Sequence, residues 1–384
     1  MKFLHISDLH LGKRVYEFSM IDDQKYILDS IIGIIVSEKP EAVIIAGDIY
    51  DKAVPSAEAV ELFDNFITEL SAFDCSIFII SGNHDSGERL NYGSRIMSKR
   101  RIYISGSFDG NLKKEVISDK WGDVHIYMMP FLKPSMVRHY FKNHEILTYE
   151  DAIRAILENE KINGDNRNIL IAHQFVTGSG IIPETCDSEM VNVGGVDNVD
   201  VSLFDSFDYV ALGHLHGPQK MARDTIRYSG SILKYSFSEV HQKKSATIIE
   251  MGSKQDINIR TIPLKSRKDL REIKGPIKEL LKPEVYNIGD KEDYLSVILT
   301  DEESIMDPIG KLRLVYPNIM RLEFENSKSR KRESEVNLST NEISEKSPIE
   351  LFENFYTEQN GIKMSNDQRE LIGSIMEKIM GGGA

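Results

Sequence analysis

Cysteine is nearly missing: the 384 residues hold only Cys75 and Cys186, far apart and in no Cys-x-x-Cys pair. That excludes a disulfide framework and a thiolate zinc site. No apolar run reaches the roughly 18 residues a membrane helix needs. The opening MKFLHISDLH places an acid at Asp8, leaving too short an apolar stretch for a secretory leader. A cytoplasmic address without a membrane partner is therefore expected. Basic excess is also absent, since 47 Lys and Arg stand against 60 Asp and Glu, a net charge of −13. This argues against indiscriminate coating of nucleic acid, yet a local basic or metal-filled groove still binds phosphate inside an acidic protein. There is no internal repeat. What is present is a chain too long for one ordinary core, 41% hydrophobic and 28% charged, which predicts a globular protein of two or three folding units.

Short β-branched runs recur through the first two thirds: KFLHIS, AVIIAGD, SIFIISG, VHIYMMP, NILIAH, YVALGH and SATIIEM. Between them, DDQKYILDSIIGIIVSEK and SAEAVELFDNFITELSAF repeat apolar residues at helical spacing. The pattern predicts a layered α/β domain over 1–262. Strands apolar on both faces imply either one sheet covered by helices on both sides or two sheets packed face to face within a helical jacket. A smaller α/β cap follows over 263–325, where DYLSVILTD, DPIGKLRLVY and NIMRLEFE read as strand, helix and strand, with Asp307 and Pro308 as the helix start. Residues 326–347 carry three large apolar side chains and read as a solvated linker. Beyond it, 348–380 reads as two short amphipathic helices, with Ser365 and Gln368 as a capping box for the second. Their stripes (Leu351, Phe352, Phe355, Tyr356; then Leu371, Ile372, Ile375, Met376, Ile379) are too large for so small a pair to bury alone.

Five strand ends share one property. HISDLHLG ends in Asp8 and His10, IIAGDIYD in Asp48 and Asp51, and IISGNHD in Asn83, His84 and Asp85; LIAHQ ends in His173, and VALGHLHG in His214 and His216. Residues two apart on an extended chain project to one face, and ligands of open α/β sheets gather beyond the carboxyl ends of the strands. Singly, each cluster has an ordinary explanation in turn chemistry or in a hydrogen-bonded core histidine. Together they do not, because gathering carboxylates and imidazoles at apolar strand ends costs several kcal/mol per unpaired charge. Divalent cations remove that cost. Carboxylate, imidazole and amide oxygen without thiolate suit manganese, iron or zinc, and the number of donors suits two ions sharing one carboxylate.

The motifs DLHLG, GDIYD, GNHD, His173 and GHLHG, in this order, resemble those of the calcineurin-like metallophosphoesterases. The stretches DYLSVILTDEE, DPIGKLRLVYPN and ELFENFYTEQNG extend the resemblance over almost the whole chain to the SbcD family, the nuclease subunits of bacterial SbcCD complexes. The resemblance implies a four-layer metallophosphoesterase sandwich with a small capping domain and a helical tail. It implies two cations, manganese by expectation: Asp8, His10, Asp48 and His216 would hold one, and Asp48, Asn83, His173 and His214 the other. His84 would donate a proton or hydrogen bond to the phosphate or leaving oxygen, with Asp85 orienting it or a neighbour. The implied activity is a 3′-to-5′ exonuclease on duplex ends and an endonuclease on single strands and hairpins, in repair and recombination. The implied partners are DNA, the ABC-type ATPase SbcC bound through the tail helices, and a second copy of the chain across helices near 57–72 and 88–100.

Some positions depart from relatives. Asp51 stands where related nucleases often carry histidine, and Ile232 where many have proline. Asp51 is followed by KAVPS, not Arg-Gly, and His84 by Asp85, not Glu, which counts against a serine/threonine phosphatase. A small-molecule phosphodiesterase remains the first rival. A structural adaptor with a vestigial site is the second, disfavoured by the intact donor set. Lys13, Arg14, Arg89, Arg95, Lys99, Arg100 and Arg101 are candidate phosphate contacts, and such contacts position DNA without reading its sequence.

Overall fold

The computed structural model describes residues 1–178, 180, 182–189 and 197–327, together with 352–353, 355–357, 363–369 and 371–372 of the tail. Within it, each strand divides its side chains between two cores, as a period of two requires. In Ala42–Ala46, residues Ala42, Ile44 and Ala46 enter one layer and Val43 and Ile45 another. Arg167–His173 does the same, with Ile169 and Ile171 in the layer shared with Ile44 and with Leu170 and Ala172 on the other side.

That shared layer is the seam between two six-stranded sheets. From edge to edge the first sheet runs Ile257–Pro263, Ser245–Met251, Lys2–Ile6, Ala42–Ala46, Ser76–Ile80 and Ile102–Ser105. The second runs Gln219–Met221, Arg223–Tyr228, Tyr209–Gly213, Arg167–His173, Gly122–Met129 and Lys113–Asp119. Helices Ile21–Glu38 and Ala57–Leu70 cover the first sheet, and Tyr149–Glu160 covers the second. Of the two arrangements open to the sequence, the molecule adopts the face-to-face sheets inside helices. His5, fully buried in the seam, bonds the Tyr209 hydroxyl at 3.0 Å and is an ordinary core histidine.

Register puts the chemistry on one rim. Lys2–Ile6, Ala42–Ala46 and Ser76–Ile80 are mutually parallel, and Arg167–His173 is parallel to Tyr209–Gly213 with His173 opposite Gly213. All five strands therefore deliver their carboxyl ends to the same side of the sandwich.

Local signals fare unevenly. Ser56 caps Ala57–Leu70 by accepting from the Ala59 amide, as a helix N-cap should. The helix expected near 88–100 is instead two single turns, Gly87–Leu90 and Ser94–Met97, followed by a 3₁₀ turn at Ser98–Arg100. Gly93, at φ 74°, breaks the run. The cap contains a three-stranded parallel sheet of Leu270–Gly275, Tyr294–Leu299 and Ile319–Phe324, with helix Pro308–Arg313 capped by the Asp307 side chain through the Gly310 amide. The cap is tied to the helix Ile21–Glu38 through Asp23, which accepts from the Tyr294 hydroxyl at 2.7 Å and pairs with Arg267 at 3.2 Å. Ser365 and Gln368 exchange the two capping-box bonds, at 2.9 and 3.3 Å. Leu351, Ile375, Met376, Ile379 and the linker from 328 to 347 lie outside the described residues. Among the described residues no helix is long and apolar enough to cross a membrane.

Candidate metal centre

The loops leave their strands through strained backbone. Asp8, His10, Asp48 and His214 have φ of 53°, 44°, 49° and 105°, a region that costs non-glycine residues on the order of 1–3 kcal/mol each. Backbone bonds hold the bends: the Asp8 amide donates to the Gly47 carbonyl and the His10 amide to the Asp48 carbonyl, each at 3.0 Å. Two glycines let the loops close on one another. A Cβ on Gly82 would overlap the Asp48 carboxylate and amide, and one on Gly213 would overlap the Ala46 carbonyl oxygen across the seam.

The result brings together all seven residues that the sequence nominates as ligands. Asp48 Oδ2 lies 3.5 Å from His10 Nε2 and 3.4 Å from His173 Nε2, so one oxygen stands between two imidazoles. On one side His10 Nε2 meets His216 Nε2 at 3.0 Å, and Asp8 completes a cluster with both. On the other, Asn83 Oδ1 lies 3.0 Å from His173 Nε2 and 2.9 Å from His214 Nδ1. Asp8 also binds the strands together, accepting the His214 amide at 3.0 Å and the Ser7 hydroxyl. Asp8, His10, Asp48, His173, His214 and His216 are all buried.

Protonation follows from this burial. Burial raises Asp8 to about 6, with His173 and His216 pulling it down and Asp48 pushing it up. Burial also works against charge on Asp48, but His173, through charge and hydrogen bond, and then His10 and His84 hold it well below the usual carboxylate range. On His173 burial opposes charge, yet the charge of Asp48, its hydrogen bond and Asp8 outweigh it and raise the pKa to about 9. Burial, then His173, depresses His214 to about 3, and burial drives His10 well below its ordinary value. The pocket's field thus favours positive charge between Asp48 and His173 and disfavours it on His10 and His214.

This donor set fits divalent cations. His173 Nδ1–H donates to the Ala46 carbonyl at 2.8 Å, an acceptor only, which commits Nε2 to the pocket. Nδ1 of His10 is buried without a hydrogen-bond partner. Oxygen and imidazole nitrogen therefore converge with a surplus of lone pairs over protons, which a cation resolves.

Around this cluster the reading of individual residues changes. Asp85 does not touch His84: its carboxylate accepts the amides of Gly82 at 2.9 Å, Ile49 at 3.1 Å and Tyr50 at 2.9 Å, clamping the second and third motif loops together. Its bonds go to backbone amides and not to the His84 ring. Burial and the nearby Asp48 raise Asp85 to about 7 against the pull of those three amides. His84 is instead oriented by its Nδ1–H bond to the Asp51 carbonyl at 2.9 Å, its ring edge-on to His10 at 4.8 Å. Lys13 and Arg101 are ion-paired, with Asp51 and Asp74 respectively, whereas Arg89, Arg95, Lys99 and Arg100 are exposed. Sequence reasoning missed Ser188, Glu239 and Lys244, which stand behind His216. The buried-charge pattern SFSEV followed by a lysine pair was the available signal.

Comparisons with known proteins identify the family. A family model described as calcineurin-like phosphoesterase matches residues 1–218, and one described as type 5 capsule protein repressor C-terminal domain matches 266–360. The chain is 36% identical over 387 residues to the SbcD component of the nuclease SbcCD of Staphylococcus epidermidis, covering 99% of each chain. Among solved structures, a dimetal phosphatase from Danio rerio aligns with TM-score 0.39 at 12% identity, covering 69% of this chain and 99% of that one. The chain belongs to the calcineurin-like phosphoesterase family, metal-dependent enzymes, and within it to the SbcD family of nucleases.

Proposed function

We propose that the chain is a two-metal DNA nuclease, acting on duplex ends and hairpins together with an SbcC-type ATPase. The observation that carries this reading is the single Asp48 oxygen standing between His10 and His173, with Asp8 and His216 on one flank and Asn83 and His214 on the other. Asp8, His10, Asp48 and His216 would hold one ion and Asp48, Asn83, His173 and His214 the second, manganese being the proposed metal. Two divalent cations so held would supply Lewis-acid clamping of a phosphodiester and activation of water for in-line attack. The protein's own contributions are distinct. The αL bends and glycine contacts fix the donors before substrate arrives, and burial excludes competing solvent. His84, its Nδ1–H committed to the Asp51 carbonyl, offers Nε2 to the phosphate or leaving oxygen. Exposed Arg89, Arg95, Lys99 and Arg100 serve the DNA backbone.

The test is hydrolysis of hairpin and blunt duplex DNA beside a chromogenic phosphodiester, with manganese and with excess chelator. DNA cleavage that needs metal is expected. Turnover of the small diester alone would favour a small-molecule phosphodiesterase.

The proposed organisation is a nuclease domain over 1–262, a cap over 263–325, a linker over 326–347 and an ATPase-binding segment over 348–380. Phe355 is 57% exposed, as an apolar anchor that docks in a partner groove is. Deleting 348–380 should abolish co-purification with the ATPase and leave metal-dependent hydrolysis of a small diester within about two-fold, because that segment supplies no donor. Homodimer contact across 57–72 and 88–100 is supported by Tyr92 and Ile96, 87% and 75% exposed.

A further inference from the structure

His173 and His216 receive their tautomers by different means. His173 takes its tautomer from a backbone carbonyl, that of Ala46, which no substitution removes. His216 Nδ1 lies 2.7 Å from Ser188 Oγ, and Ser188 Oγ donates to Glu239 Oε1 at 2.6 Å. A carboxylate only accepts, so the Ser188 proton is committed to Glu239 and the serine oxygen is left to accept from His216 Nδ1–H. Nε2 of His216 is then a bare lone pair facing His10 and Asp8.

Glu239 itself is fixed from behind. It is fully buried, and its Oε2 accepts from Lys244 Nζ at 2.6 Å. Its Oε1 also accepts the Tyr235 amide at 3.2 Å and the Ser236 hydroxyl at 3.0 Å. Lys244 is buried as well, and donates to the His216 carbonyl and to Ser231 Oγ, both at 2.8 Å. The lysine thus grips the backbone of the same histidine whose ring its partner carboxylate orients. Cys186, His216 and Glu239 lie close enough to suggest a cation site of their own, but both Glu239 oxygens are already engaged and an ammonium stands against one of them. This carboxylate acts on the imidazole, not on a metal.

We propose that Glu239 and Lys244, acting through Ser188, are positioning residues that hold His216 in its Nδ1–H tautomer and so set the cation affinity of the Asp8–His10–His216 half of the centre, independently of the His173 half. The inference rests on the two-ion reading above. Groups behind a metal-binding histidine fix its ring and raise its basicity, and losing one typically weakens binding by about 10–100-fold.

The experiment is a manganese titration of the metal-stripped full chain near neutral pH, followed by calorimetry and electron paramagnetic resonance, with Tm measured in chelator. Wild type should take up two ions. Ser188→Ala should weaken one step by about 10–100-fold and leave the other step and the chelator Tm unchanged, while Ser188→Thr, which retains the hydroxyl, restores the step. Glu239→Gln should weaken the same step and also lower Tm, since it strands a buried ammonium. Two unaltered steps in Ser188→Ala would overturn the inference and leave the two-ion reading intact. Equal weakening of both steps with a fallen Tm would reduce the network to scaffolding and overturn it too. Fewer than two ions in wild type would remove the reading on which it stands.

Discussion

Asp48→Asn should lower metal-dependent phosphodiester hydrolysis by about 10³-fold, the rate equivalent of the several kcal/mol that bound cations contribute to a charged transition state. The size follows from position. Other donors serve one flank, whereas Asp48 Oδ2 lies within 3.5 Å of His10 and 3.4 Å of His173. An amide retains the shape but not the charge, and its NH₂ group would direct protons into a pocket built from acceptors. The second readout is thermal. Cations that bind only the folded state stabilise it, by about 2.7 kcal/mol at one hundred times Kd. Wild type should therefore melt higher in manganese than in chelator, and Asp48→Asn should lose most of that difference. A variant with near-normal hydrolysis, or with an intact manganese-induced rise in Tm, would contradict the shared-carboxylate geometry.

Gly213→Ala should produce the largest loss of stability. The added methyl would collide with the Ala46 carbonyl oxygen and the His173 ring, both buried and both anchored, so neither yields cheaply. Overpacking of this kind costs about 3 kcal/mol, roughly 6–12 °C in Tm for a domain of this size class, and hydrolysis should fall with it because His173 and His214 are displaced. Gly33→Ala is the natural control. Nothing lies within 4 Å of a Cβ there, and in the helix Ile21–Glu38 the change should add about 1 kcal/mol. Equal behaviour of the two variants in urea or thermal melts would refute the contact argument.

Much of the centre was legible because it is local. Asp8 with His10, and His214 with His216, are pairs separated by one residue, and apolar strands announce where each loop begins. The two long helices were legible for the same reason, their stripes being periodic over several turns. What sequence concealed is what depends on contacts between distant segments. Asp85 reads as a neighbour of His84, but its partners are the amides of Gly82, Ile49 and Tyr50. Ser188, Glu239 and Lys244 meet His216 only after the second sheet has assembled. Edge strands also escaped notice: Lys113–Asp119 alternates half-buried and exposed positions with charged residues among both, Leu270–Gly275 exposes Glu272 and Lys274, and both lack the apolar density that marks a central strand. The run at 88–100 failed the opposite way, since helical composition there is overruled by one glycine at φ 74°.

The inner layer has a further consequence. Donors from the first sheet and donors from the second meet only because Phe3, Ile44 and Phe78 on one side interlock with Ile126, Ile169 and Ile171 on the other. Sliding one sheet over its neighbour by a single residue, about 3.3 Å, is a displacement as large as the 3.4 Å that separates Asp48 from His173. The greasy interior is therefore a spacing gauge for the chemistry at its edge, and shaving a ring from it should blunt catalysis far from any charged atom.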